Sequence, residues 1–190
     1  MATIDAVLAF WLDELGTEGW YKADDAVDAK ISARFGALWE EAHAGGLVDW
    51  LETPKGALAY LIVTDQFSRN MFRGDARSFA TDARARDAAR HAIAKGFDLL
   101  VEDPERMFFY MPFEHSEHIA DQDWSVALMG ARLPVSGNEM DRHARAHREV
   151  IRQFGRFPYR NEALGRQSTP QELAFIADGG YASALRAVSE

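Results

Sequence analysis

Thr53-Pro54-Lys55-Gly56-Ala57-Leu58-Ala59-Tyr60-Leu61-Ile62-Val63-Thr64-Asp65-Gln66-Phe67-Ser68-Arg69-Asn70 is the stretch whose reading decides the fold. Thr53 is a capping residue, and Pro54 stands at the first helical position, where its missing N–H costs nothing. Leu58, Tyr60, Leu61, Ile62, Val63 and Phe67 then leave almost no polar side to the helix. A helix apolar nearly all round is buried on most sides. The chain therefore reads as helices gathered about a central one.

The flanking segments carry the same period. Thr3 precedes the stripe Ile4, Val7, Leu8, Trp11 and Leu15, which stops at Gly16. Asp24 or Asp25 opens a helix with Val27, Ile31, Phe35, Leu38 and Ala42 on one face, closed by Gly45-Gly46. The loop between them carries Trp20 and Tyr21, read as exposed aromatics. Thr81 or Asp82 starts an alanine-rich helix to about Lys95. Asp103-Pro104 is expected to open a helix through Met107, Phe108 and Met111, which Pro112 stops or kinks. Helix is expected again from Phe113 to about Ala131 and from Asn138 to Phe154. Thr169-Pro170-Gln171-Glu172 has the form of a capping box. No segment alternates with the period of a strand. The fold class is all-α: about eight helices in antiparallel pairs, no sheet, and a single domain over residues 1–190.

Composition sets limits on function. The formal charge of -9 argues against general binding to nucleic-acid phosphates. With no cysteine there is no disulfide or thiolate chemistry, which fits a cytoplasmic setting. The start lacks a basic region and reads as no signal peptide, and no apolar run reaches the length of a membrane span. Charge is uneven. Residues 1–28 hold seven acids against one lysine, whereas residues 132–166 hold eight arginines against four acids.

Three segments put charge on otherwise apolar helices. In Asp65–Arg73, Asp65 follows Leu58 and Leu61 inward, Arg69 lies one turn on, and Arg73 extends the row. In Phe113–Gln122, His115 and Gln122 are seven apart and share a helical face, and Glu117 lies beside them. His115 suits acid–base chemistry because imidazole titrates near neutrality. The third segment has His143 and His147 one turn apart, then Arg156, Arg160 and Asn161. There Phe154-Gly155-Arg156-Phe157-Pro158-Tyr159-Arg160-Asn161 alternates rings with cations where Gly and Pro end a helix. Neither Glu-x-x-His on two helices nor His-Glu-x-x-His occurs, so no metal and no cofactor is assigned.

Buried polar groups need partners. The simplest arrangement joins Asp65, Arg69, Glu117, His115, Gln122, His147, Arg156 and Arg160 in one network. Two readings fit it. In one, Asp65, Arg69, Arg73, Gln122, Arg156, Arg160 and Asn161 line a cleft for a small phosphate- or carboxylate-bearing ligand. His115 or His147 is then the acid–base group, oriented by Glu117. In the other, the network holds the helices together and the protein grips a peptide or partner protein.

The chain resembles the bacterial domain-of-unknown-function 924 family almost end to end. The likeness rests on Phe10-Trp11, Asp65-Gln66-Phe67-x-Arg69-Asn70-x-Phe72-Arg73-Gly74, Pro112-x-x-His115-Ser116-Glu117, Asp121-Gln122, His147-Arg148, and the long block Phe154–Asn161 with Leu164-Gly165-Arg166-x-Ser168-Thr169-Pro170. Ser68, His118 and Tyr159 stand where the family more often has Pro, Asp and His. The resemblance implies an all-helical, tetratricopeptide-like fold and brings no reaction with it.

Overall fold

In the computed structural model residues 3–188 are described, and every regular element among them is helical, with no strand. The chain's contacts gather into two units, Met1–Phe109 and Tyr110–Glu190.

In the first unit α1 (Ile4–Leu8) starts at Thr3, whose hydroxyl accepts the Ala6 N–H at 3.2 Å. It widens into a π-helical stretch, Ala9–Leu15, and ends in the short α2 (Gly16–Gly19). Asp24 caps α3 (Asp25–His43) by accepting the N–H groups of Ala26 and Val27. The central helix is α4 (Pro54–Leu61), a second π-helical stretch (Ile62–Phe67) and α5 (Ser68–Met71) in succession. Every residue from Gly56 to Ser68 is buried. Gly56 is required there, because a Cβ on it would meet the Trp50 carbonyl oxygen at 2.1 Å. α6 (Asp82–Ala94) lays Ala85, Ala88, Ala89 and Ala92 against α4, small side chains that permit close packing.

Aromatic rings fill this unit's core. Phe35 stacks on Phe67 with centroids 4.8 Å apart, and Phe10 meets both. Trp11 packs against Phe67 and Phe108. Trp20 corrects the expectation of an exposed ring: it is buried between Trp11 and Phe108, and its indole N–H donates to the Trp11 carbonyl at 2.8 Å. Burial of such a side chain contributes about 2–3 kcal/mol, more than a loop position signals by itself. Tyr21 is 61% exposed.

In the second unit α7 is short (Met111–Glu114) and Pro112 lies in its first turn. The expectation that Pro112 ends a helix is reversed, for a proline is tolerated where the N–H has no intrahelical partner anyway. The residues before it, Glu105–Phe109, form a 3₁₀ turn of the first unit. The chain then breaks at 115–118 and restarts as α8 (Ile119–Arg132), so the continuous helix expected from Phe113 is two helices. α9 (Gly137–Phe154) packs along α8 and ends at Gly155, which takes φ 68° and donates its N–H to the Ile151 carbonyl. A 3₁₀ turn (Pro158–Arg160) leads to α10 (Pro170–Ala177), where the expected capping box forms in full, and to α11 (Tyr181–Ala187), which lies on α9. Ala146, Val150, Ile151, Phe157 and Ala184 form the core beneath them. Among the described residues no helix is long and apolar enough to cross a membrane.

Candidate functional site

The break after α7 leaves Glu114 facing α9. Glu114 is the last residue of α7 and is buried. It faces His147, in the middle of α9, whose Nδ1 lies 2.8 Å from Glu114 Oε1 and 3.0 Å from the His143 carbonyl oxygen. Both neighbours are acceptors, so Nδ1 carries a hydrogen, and in the neutral form of the ring the lone pair lies on Nε2. Among the described residues of this unit, no hydrogen bond reaches Nε2. Burial works to raise the Glu114 carboxyl, but His147, His115 and His143 outweigh it and the net shift is downward. The carboxylate is therefore ionised near neutrality.

The ring of His147 is also held by packing. Tyr181, at the start of α11, approaches it at 4.5 Å between centroids, Phe157 at 5.6 Å and His115 at 6.2 Å. The Tyr181 hydroxyl is bonded to His143 Nδ1. Burial pushes the His143 imidazole below its ordinary value, with Glu114 opposing and His147 reinforcing the shift. The imidazole is thus oriented by a buried carboxylate and walled by aromatic rings.

Glu117, expected to orient a histidine, is placed elsewhere. Its carboxylate accepts two hydrogen bonds from Arg166 and one from the Phe157 N–H. Arg166 also donates to Asn161 Oδ1 and to the Phe157 carbonyl, and Asn161 donates in turn to Ser168. Arg156 forks onto Glu172 at 2.6 and 2.8 Å and reaches the Gln167 carbonyl. Glu172 closes the capping box by accepting the Thr169 N–H, and these contacts lower its carboxyl to about 2. Segment 154–172 is thus a loop stapled to itself and to Glu117. Arg160 is buried with its guanidinium over the Phe157 ring, 4.4 Å from the centroid. Phe157 is therefore the common neighbour of His147 and Arg160.

Gln122 sits under the end of α7. Its amide nitrogen donates to the carbonyls of Glu114 and Ser116, both at 2.6 Å, and satisfies acceptors that the helix end leaves open. The shared face expected for His115 and Gln122 is lost with the helical break between them.

In the first unit Asp65 is buried, and Arg69 reaches its carboxylate at 3.2 Å, its carbonyl at 2.6 Å and Asp82 at 3.0 Å. The second π-helical stretch leaves carbonyls outside the ordinary ladder, and side chains take them up. Thr81 and Ser68 both donate to the Thr64 carbonyl. Arg73 pairs with Asp28, which also accepts from Asn70. Among the described residues no group of three or more His, Asp or Glu is arranged to hold a metal ion.

The Asp65–Arg69 pair forms as expected, whereas Glu117 meets Arg166 and not a histidine. Glu114, Glu172, Asp82 and Arg166 make the central contacts, and Tyr181 packs on the His147 ring. Arg166 had a local signal in the Leu164-Gly165-Arg166 motif, and Glu172 in the Thr169–Glu172 capping box.

The sequence profile of a family described as bacterial protein of unknown function (DUF924) matches residues 7–180. A solved structure, that of the protein of unknown function ATU0120 from Agrobacterium tumefaciens, is similar over 92% of this chain and 97% of that one. The two are 37% identical, with a TM-score of 0.86. No curated protein matches.

Proposed function

The chain belongs to a bacterial family of unknown function, DUF924, and from its residues we propose that the second unit holds a small-ligand site in which His147 transfers a proton. The observation that carries this reading is the 2.8 Å contact between His147 Nδ1 and the buried Glu114 carboxylate. It sets the tautomer and aims Nε2 as a base or, once protonated, an acid. Arg160, stacked over the same Phe157 ring, supplies a cation for a phosphate- or carboxylate-bearing ligand. The His115 ring lies 6.2 Å from that of His147. Arg69, Arg73 and Arg156 serve as internal partners of carboxylates in this reading, not as ligand groups.

Isothermal titration with inorganic phosphate and with simple mono- and dicarboxylates tests it. Binding by the wild type that is lost in His147→Gln and Arg160→Gln, with both variants folded by circular dichroism, supports the site. Binding by neither the wild type nor the variants, across the series, sinks it.

A second reading is favoured by the pairing of Arg156 with Glu172 and of Arg166 with Glu117. Here the polar network holds a tetratricopeptide-like scaffold together, and the protein grips a peptide or partner. Losing stability but no ligand affinity on Arg156→Ala favours this alternative.

A further inference from the structure

We propose that the groove bounded by α9, α10 and α11 in the second unit binds a peptide segment of a partner protein that presents apolar side chains and at least one lysine or arginine. This gives the scaffold reading above a definite place, and it is independent of the His147 pocket. The groove has a volume of about 970 Å³, at the upper end of the roughly 300–1,000 Å³ usual for ligand sites. Its floor is apolar: Val150 and Ala184 belong to the unit's core, and Phe175 packs against it.

The walls are polar. Glu149 on α9 and Asp178 after α10 contribute carboxylates, and neither side chain forms a hydrogen bond or ion pair among the described residues. The lining has one guanidinium, that of Arg186, which donates to the Asp178 carbonyl oxygen at 3.4 Å. Two carboxylates against one cation favour a cationic occupant.

Gln153 and Gln171 complete the walls, and their side chains likewise form no hydrogen bond or ion pair among the described residues. A carboxamide offers one acceptor and two donors, which match the C=O and N–H of a peptide backbone. Apolar floor, amide walls and carboxylates at either side together describe the chemistry of a short amphipathic, basic segment.

The test uses the full chain and a fluorescent leucine–lysine peptide, with the same peptide carrying glutamate for every lysine as its counterpart. Fluorescence anisotropy is expected to show the lysine peptide binding, and the glutamate peptide weaker by about tenfold or more. Glu149→Gln combined with Asp178→Asn is expected to weaken the lysine peptide by a similar factor. Ala174→Trp, at an exposed position in the groove, is expected to block it sterically. No binding, or equal affinity for the two peptides, overturns the proposal. Lysine-peptide binding that survives Ala174→Trp overturns the groove while leaving a scaffold with another docking surface. Failure of the His147 site is read separately, from the phosphate and carboxylate titrations.

Discussion

Arg166 holds Glu117 with both ends of its guanidinium, Nη1 to Oε2 at 2.7 Å and Nη2 to Oε1 at 3.0 Å. The same guanidinium bonds Asn161 and the Phe157 carbonyl, so one side chain ties the loop after α9 to the turn after α7. Burial works to raise the Glu117 carboxyl, and Arg166, the Phe157 N–H and Arg160 together bring it below its ordinary value. The most distinctive block of the sequence is thereby a clamp at this point.

Arg166→Ala is expected to destabilise the protein by about 2 kcal/mol, short of the about 3–5 kcal/mol for a fully buried pair. The discount reflects side chains that remain 23% and 27% exposed. Arg166→Lys should restore only part of the loss, because an ammonium cannot fork onto both oxygens. Urea denaturation of the two variants measures this. A lysine variant as stable as the wild type would show that the fork geometry is irrelevant.

The pair Arg156–Glu172 predicts how acid acts on the fold. The Glu172 carboxyl titrates at about 2 in the folded chain, against an ordinary 4.5, chiefly through its hydrogen bonds to Arg156. A depressed carboxyl contributes stability that is complete above its unfolded value and is lost as pH falls through the folded one. Stability should therefore decline from about pH 4.5 toward pH 2. In Arg156→Gln that part of the decline should shrink, and a series of urea melts over this range reads the difference. Identical slopes in the two proteins would remove Glu172 from the account.

Much of the architecture is legible because its signals are local. Asp24, Thr53 and the Thr169–Glu172 box each cap the helix they announce, and the apolar run from Leu58 to Phe67 is buried as its composition demands. The π-helical stretches are not legible, since a 3.6-residue period describes an apolar helix equally well with or without them. The break at 115–118 is hidden for a different reason. Pro112 is as compatible with the first turn of a helix as with its end, and the choice is made by tertiary contacts such as Gln122 under α7. That break decides which carboxylate meets His147, so the error in pairing Glu117 with a histidine follows from the error in helix boundaries.

Asp65→Ala is expected to cost about 3–5 kcal/mol, the range for removing one member of a buried pair. Asp65 is 1% exposed, and its loss leaves Arg69 and the Gln66 amide without the acceptor they share. Arg69 keeps Asp82 and the backbone carbonyl of residue 65 as acceptors, which keeps the loss from being larger. Asp65→Asn preserves an acceptor and should cost less than Asp65→Ala. Thermal and urea unfolding rank the two, and equal costs would mean that the carboxylate's charge, which both substitutions remove, is what matters and not its hydrogen bonds.

His143 offers a test of the histidine pocket that needs no ligand. Burial is the main cause that lowers its imidazole below the ordinary 6.5, and Glu114 only partly offsets it. At a pH above 6.5 both the folded and the unfolded chain carry the neutral ring, and the group makes no contribution. Below it the unfolded chain takes up the proton first, so stability falls until pH reaches the folded value. His143→Gln should remove this loss, giving a shallower fall of stability just below pH 6.5 than the wild type. The substitution also frees the Tyr181 hydroxyl from its bond to Nδ1, which costs the same at every pH and so separates from the titration. Nuclear magnetic resonance of the imidazole protons measures the folded value directly. A midpoint at or above 6.5 would mean that the ring is solvated and that α11 does not close over the pocket as its contact to His147 requires.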